Sequence, residues 1–571
     1  MIIIGINGDS AHAPERGSHD SGACLLENGR VLAASNEERF SRIKQDVQYP
    51  FRAIEHALEY VGPRSVSSAA LSWLSPLQQK PMLDRLFRHL KRVANDSPEL
   101  KRFYWKQQSA RWARLLRIRR RTLPEKIAHC PIEICEHHHA HAASAYYCAP
   151  FGDARMLVLT LDGQGDFAAG SAWIGEKGTL THIEHYDALN SIGHIYAAFT
   201  GHLGFTPNRH EGKIVGLAAH GDPTTLCERL LAKTRLGDWH NMLDADLVLL
   251  VLRPNSDEGK AAMARLCDGL SREAIAAGIQ TWAEQVATAM VRDLCRRHDC
   301  SLLALAGGVF ANVKLNQRIL ELDEVENLYI HPNMGDGGLA VGAALVAYAA
   351  ANNGMTPQFL DTCYLGPDIS DEAADAALAD AGIKGEVPAD MAARAAELLA
   401  SGKVVARAAG RMEYGPRALG NRTLFASCSD PSINKWLNDR LQRTEFMPFA
   451  PIIMEEYAAE YFPAWKPEHV AARFMTITYD ASEIAKKNIP AAIHVDGTAR
   501  PQVLREADNP EVYAMLKAFH AKTGVPALIN TSFNMHEEPI VCNAADAVRA
   551  FTLGNIDALI VGNRLTLGES A

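Results

Sequence analysis

One plan occurs twice in this chain, and a duplicated plan restricts the fold more than composition does. The first copy begins MIIIGINGD (1–9), an apolar run ending in an Asn-Gly-Asp turn, and continues as HDSGACLLENGRVLAAS (19–35). The Asn28-Gly29 step has the chemistry of a tight hairpin turn between two strands. The second copy is MLVLTLDGQGD (156–166) followed by FAAGSAWIGEKGTLTHIEHY (167–186), with Lys177-Gly178 at the tip. Both read as strand, acidic glycine turn, hairpin. Two such halves are expected to face each other across a cleft floored by the glycine turns. There, backbone N–H groups close on phosphate and the acidic side chains hold a cation.

The glycine-turn logic recurs. A long helix is expected over 273–300. SLLALAGGVFANVKLN (301–316) then reads as a strand broken by Gly307-Gly308 before a helix, and ENLYIHPNMGDGGLAVGAALVAYA (326–349) does the same around Gly335–Gly338. Such strand-to-helix turns suit nucleotide phosphate or adenine, where a side chain would block approach. Pro, Gly and Asn in NNGMTPQ and LGPDIS mark a boundary near 352–370. Beyond it the character changes. MEYGPRALGNRTL, LQRTEFMPFAP, HVDGTARPQV and PALINTSFNMHEEPIV set Arg417, Arg422, Arg443 and Arg500 beside Asn421, Asn530, Thr531 and Ser532. Several guanidinium forks with amide and hydroxyl donors suggest an anion pocket.

EHHHAHAASAYY (136–147) concentrates His137, His138, His139 and His141 in five positions. The alanines favour helix, and residues four apart share a face. His137 and His141 are thus placed to grip one metal ion, while His138 and His139 point elsewhere. Asp162 and Asp336, each in a glycine turn after a strand, complete a set of two imidazoles and two carboxylates, with Asp166 a rival oxygen donor. This mixture suits Fe(II), Mn(II) or Zn. His19, beside the first hairpin, is either a loop histidine or a general base for a hydroxyl. Lys213, in HEGKIVGLAAHG, either meets phosphate or caps a helix.

At 571 residues with 47% hydrophobic and 22% charged content, the chain is a globular protein of two or more domains. A formal charge of −9 gives no general drive toward nucleic acid or a membrane surface, and no apolar run is long enough to span a bilayer. The eleven cysteines form no CxxC pair, which fits reduced thiols in a cytoplasm. Residues 78–127 are basic with aromatics and leucines at helical spacing; a helical insertion with a solvated face is expected, with docking of an acidic partner as the alternative.

In order along the chain, HDSGACLL, NEERFSRIK, HHHAH, LDGQGD, EGKIVGLAAHG, LAGGVFAN, MGDGG, GRMEYGPRALGNRTL, MPFAP, HVDGTARPQ and NTSFN resemble the O-carbamoyltransferases of nodulation and antibiotic biosynthesis. The resemblance covers nearly the whole chain. It implies an α/β protein with a duplicated actin/Hsp70/sugar-kinase-like domain over 1–355, of the tRNA threonylcarbamoyltransferase kind, and a YrdC-like α/β domain over 356–571. It further implies that carbamoyl phosphate and ATP with Mg2+ give a carbamoyl-adenylate, whose carbamoyl group moves to a small-molecule hydroxyl acceptor. Carried over residue by residue, it assigns a divalent metal, Fe(II) foremost, to His137, His141, Asp162 and Asp336, and the base to His19. Nucleotide falls to Lys44, Lys213, Gly307, Gly308, Asn312, Gly335 and Gly337. Carbamoyl phosphate falls to Arg417, Arg443, Arg500, Asn530 and Ser532. Gln442 and Met447 stand where many members carry basic residues, and Ala219-His220 where Pro-Tyr is common. Neither membrane nor nucleic acid is an expected partner, and homo-oligomerisation is left open. The rival readings are a kinase or ATPase of the same superfamily and a tRNA-modification scaffold.

Overall fold

The computed structural model describes residues 1–8, 19–73, 79–93, 95, 100, 102, 122–441 and 447–568. The chain divides into two compact units, Met1–Leu32 with Val47–Leu360, and Ala33–Asp46 with Asp361–Ala571.

Most of one sheet lies in the first unit; it is built from β1 (Ile2–Asn7), β2 (Gly22–Glu27), β3 (Arg30–Asn36, of which 30–32 belong to this unit), β4 (Ser68–Leu71) and β5 (Ile132–Ile134), in the order β3-β2-β1-β4-β5. The other comprises β6 (Met156–Gly165), β7 (Ala168–Glu176), β8 (Thr179–Asp187), β9 (Leu302–Ala306) and β10 (Asn327–Ile330), in the order β8-β7-β6-β9-β10. β1 and β6 hold equivalent places, each antiparallel to the next strand and parallel to β4 or β9 respectively. The repeat therefore extends over five strands per half, a duplicated α/β plan. At the two hairpin tips Asn28 and Lys177 have φ of 49° each, and Gly29 and Gly178 have 83° and 76°. Paired positive φ values make the primed turns whose twist matches that of the strands.

Helix α1 (His137–Tyr147) and the later α5 (Leu339–Ala351) pack their alanine-rich faces together. Between them in sequence come α2 (Ile192–His202), α3 (Arg272–His298) and α4 (Val313–Leu320). α3 is the long helix expected over 273–300, capped by Ser271, whose side chain accepts from the Ala274 N–H.

The second unit is also α/β. Its main sheet contains β11 (Val405–Ala408), β12 (Arg422–Ser427), β13 (Ala450–Met454), β16 (Gln502–Leu504), β17 (Ala527–Ser532), β18 (Ala558–Val561) and β19 (Arg564–Leu567). The strand order is β16-β13-β17-β12-β11-β18-β19, and β14 (Tyr479–Asp480) with β15 (Thr498–Ala499) forms a separate ribbon. Helices α6 (Met391–Ala400) and α7 (Pro510–Thr523) cover the sheet, burying Leu399 and Leu516 against Val405, Phe425, Ile452 and Leu528. Segment 33–46 packs here as a strap. Its Ala34 N–H donates to the Leu365 carbonyl at 3.1 Å, and Arg42 donates to the Ile540 and Pro539 carbonyls at 2.7 Å each.

Of the basic 78–127 stretch, Lys80–Val93 is helical as its spacing suggested; residues 78, 94, 96–99, 101 and 103–121 lie outside the described residues. All eleven cysteines are buried and none is joined in a disulfide. Among the described residues no helix is long and apolar enough to cross a membrane.

Candidate metal centre and anion loop

The histidine helix and two glycine turns converge in the first unit. His137 Nε2 lies 3.2 Å from an Asp162 carboxylate oxygen and 3.7 Å from one of Asp336. His141 Nε2 stands 3.6 Å and 3.5 Å from the same two oxygens. These four donor atoms all lie within 4.8 Å of one another. An ion with ligands about 2.1 Å away has tetrahedral donor–donor edges of about 3.4 Å, so the spacing fits one small divalent cation. Both imidazoles are fully buried, and neither ring nitrogen of His141 has a hydrogen-bond partner. A buried imidazole without partners is costly, and a cation between these side chains removes that cost.

Local structure explains the aim of each donor. Glu136 caps α1, accepting the His139 N–H at 2.5 Å. Asp162 sits in a register break between β6 and β7, after Leu161; such a bulge re-aims side chains out of the ladder. One Asp162 oxygen accepts the Gly308 N–H at 3.1 Å, which leaves the other toward the imidazoles. Gly165 is required because a Cβ there would fall 2.0 Å from the His137 ring. Asp166, the rival donor, turns instead to the start of α1. Its oxygens accept the His137 N–H at 2.9 Å and the Gln79 amide at 2.8 Å.

Burial alone would lower the His137 pKa; the Asp336 charge, then the hydrogen bond and charge of Asp162, raise it to about 9. Asp162 would rise on burial, yet the adjoining imidazoles of His137 and His141 hold it well below the usual carboxylate range. His138 is buried in the other direction, its ring nitrogens against Thr160 Oγ1 at 2.9 Å and the Ala168 carbonyl at 3.0 Å. His139 stacks on Trp173 with centroids 4.7 Å apart.

His19 is 42% exposed and pairs with Asp20 at 2.9 Å. The hydrogen bond to Asp20, opposed by burial and assisted by the charges of Asp20, Asp336 and Asp162, raises its pKa to about 9. Gly307 donates its N–H to the Met334 carbonyl at 2.6 Å, stitching the two later glycine turns together beside Asp162 and Asp336. Gly335 caps the short turn Asp336–Gly338, within which Gly337 is buried. Asn312 caps α4 through the Leu315 N–H and exchanges amide hydrogen bonds with Gln280. Lys213 is half-buried in helix Glu211–Ala218, whereas Lys44 is exposed on the strap, in the second unit.

In the second unit the loop between β11 and β12 is held from several sides. Buried Glu413 accepts with one oxygen the N–H groups of Leu419 and Asn421 at 2.8 Å and of Arg422 at 3.1 Å. Arg39 of the strap donates to the Gly415 carbonyl at 2.6 Å, and Tyr364 O–H to that of Leu419 at 2.8 Å. The loop carries half-buried Arg417. Arg422 is fully buried and donates to the carbonyls of Gly410 at 2.9 Å and Cys542 at 3.2 Å, so it is structural. Asn530 donates to the Ala418 carbonyl at 3.0 Å and Gln502 Oε1 at 2.5 Å, and accepts from Thr423 Oγ1 at 3.1 Å. Its amide therefore supports the Arg417 loop from inside. Ser532 and Arg500 are half-buried. Arg443 lies outside the described residues.

Two family models match the chain, "Carbamoyltransferase N-terminus" over residues 16–345 and "Carbamoyltransferase C-terminus" over 396–567. The chain belongs to the carbamoyltransferase family. Among its curated relatives, nodulation protein NolNO of Sinorhizobium fredii is 32% identical over all of this chain and 83% of its own length. The uncharacterized protein MJ1058 of Methanocaldococcus jannaschii is 36% identical over 76% of this chain and 74% of its own. Nodulation protein NolO of Bradyrhizobium diazoefficiens is 32% identical over 75% and 77%.

Sequence reasoning passed over several residues that organise this carbamoyltransferase. Asn7 bonds to the His19 and Asp336 backbones, Trp73 lies 4.5 Å from His137 by ring centroids, and His194 of α2 lies against Gly163. For Asn7 a signal existed, since in the repeat it occupies the place of Asp162 at the end of the first strand. Glu413 and Trp73 had none, because a lone acid or tryptophan before a turn has no spacing to interpret.

Proposed function

We propose that this carbamoyltransferase is ATP-dependent and transfers the carbamoyl group to a hydroxyl of a small molecule, a natural product or sugar. Water releases phosphate from carbamoyl phosphate, and the resulting carbamate attacks the α-phosphorus of ATP. A carbamate O–P bond forms and pyrophosphate leaves. The acceptor oxygen then attacks the carbamoyl carbon, the bond to AMP breaks, and the hydroxyl proton passes to His19. The observation that carries the reading is the two-histidine, two-aspartate cluster in a chain matched by carbamoyltransferase models in both parts.

His137, His141, Asp162 and Asp336 would hold the metal, with Fe(II), Mn(II) or Zn suited to the donors; when bound it supplies charge stabilisation at phosphate oxygens. The Gly308 N–H and the Gly307–Met334 stitch keep the nucleotide-side turn rigid. Arg417 and Arg500 bind the carbamoyl phosphate anion, with Asn530 supporting the Arg417 loop. Asp20 orients His19, which accepts a proton only in its neutral form.

The test is product analysis with carbamoyl phosphate, ATP and an alcohol panel. Release of AMP and pyrophosphate that depends on carbamoyl phosphate supports the reading; ADP as the nucleotide product would favour a kinase. His19→Ala should abolish transfer and leave pyrophosphate release within about threefold, since general-base catalysis contributes to the transfer step alone. Arg500→Ala should stop carbamoyl phosphate use while elemental analysis still finds the metal.

A further inference from the structure

We propose that Asn7 is a positioning residue that locks the loop of His19 and the turn of Asp336 into one frame. Asn7 ends β1 and is fully buried. Its amide nitrogen faces three carbonyl oxygens, those of His19 at 3.0 Å, Asp20 at 3.2 Å and Asp336 at 2.9 Å. Its amide oxygen accepts from Ser72 Oγ and Trp73 Nε1, each at 3.1 Å. The indole is a donor only, which fixes the orientation of the amide: oxygen toward Ser72 and Trp73, nitrogen toward the carbonyls. Trp73 in turn lies against His137, so one side chain reaches the base loop, the Asp336 turn and the wall beside a metal imidazole.

The chemistry admits few substitutes. Three carbonyls require N–H donors on one side, and a hydroxyl and an indole require an acceptor on the other. An aspartate would satisfy Ser72 and Trp73 but set an anion against three carbonyl oxygens. An alanine would remove the hydrogen bond that Asn7 makes to each of the five groups. Either change releases the His19 loop from the Asp336 turn while the metal donors keep other supports, the Gly308 N–H for Asp162, the Gly307–Met334 hydrogen bond for the turn of Asp336 and the α1 helix for the histidines. A misplacement of about 1 Å between reacting groups costs about a hundredfold in rate.

The inference rests on the function proposed above for its kinetic consequence but not for its structural one, and the test separates them. In the full-length protein, Asn7→Asp and Asn7→Ala are compared with the wild type by hydrogen–deuterium exchange, metal analysis and half-reaction kinetics. Exchange in residues 19–21 should rise at least tenfold while β6 and α1 keep their protection and the metal content is unchanged. Transfer kcat should fall about a hundredfold, with the acceptor KM and pyrophosphate release changed less than threefold. Unchanged exchange at 19–21 in both variants overturns the inference. So does a proportional loss of both half-reactions that tracks a lower Tm, which is the mark of general destabilisation. A wild type without carbamoyl transfer would sink the functional reading, and the exchange result would then decide the role of Asn7 alone.

Discussion

His137 carries the clearest pH signature in the molecule. Without a metal, the Asp336 and Asp162 carboxylates raise its pKa to about 9 against the effect of burial. A metal must displace that proton, because only the neutral ring ligates. Apparent affinity is therefore expected to climb about tenfold per pH unit between pH 6 and 8 and to level off above pH 9, with about one proton released per site. Titration calorimetry in buffers of different ionisation enthalpy measures that proton, and a flat pH profile would contradict the assignment. Gly165→Ala tests the same centre sterically. Its methyl group cannot coexist with a ring 2.0 Å away, so metal affinity should fall by at least about tenfold, as read by equilibrium dialysis. For His19 the largest cause of the raised pKa is the hydrogen bond to Asp20. A base works when neutral, so the acid limb of the transfer profile should lie above the ordinary histidine value, and Asp20→Asn should move it downward.

At the scale of elements, what could be read beforehand was whatever a short period encodes. The hairpins followed from Asn-Gly and Lys-Gly steps, and the duplicated sheets from two apolar runs with matching turns. His137 and His141 were paired by helical spacing within one continuous segment. The sequence put Asp162 before its rival Asp166 without a physical reason; in the structure a bulge in β6 aims Asp162 at the imidazoles and the start of α1 engages Asp166. Nor could the role of Asn530 be separated from that of Ser532, since burial and partners distinguish them and spacing does not. The loop of Arg417 depends on Glu413, one carboxylate oxygen accepting three backbone N–H groups. Glu413→Ala leaves those donors buried without an acceptor and should cost about 3 kcal/mol, measured by denaturant unfolding. Carbamoyl phosphate use should fall with it, while metal content stays at the wild-type level.

For the whole molecule, chain order and packing disagree at one place, and the disagreement is testable. Residues 33–46 begin within β3 yet belong to the second compact unit. Nothing in NEERFSRIK foretells it, since that stretch carries only a motif of the family resemblance, with Lys44 assigned to nucleotide. The packing includes hydrogen bonds from Arg39 and Arg42 to the carbonyls of Gly415, Pro539 and Ile540. Hydrogen bonds from a charged donor contribute more than neutral ones, and Arg42 is only partly exposed, so Arg42→Ala should destabilise the second unit by about 2 kcal/mol. The effect should be local. Amide exchange around 539–546 is expected to accelerate, because the opening there loses its clamp, while α1 and its metal donors in the first unit keep wild-type protection. Equal acceleration in both regions would mean that the strap does not belong energetically to the second unit, and that the division of the chain at Leu32 and Asp46 has no thermodynamic counterpart.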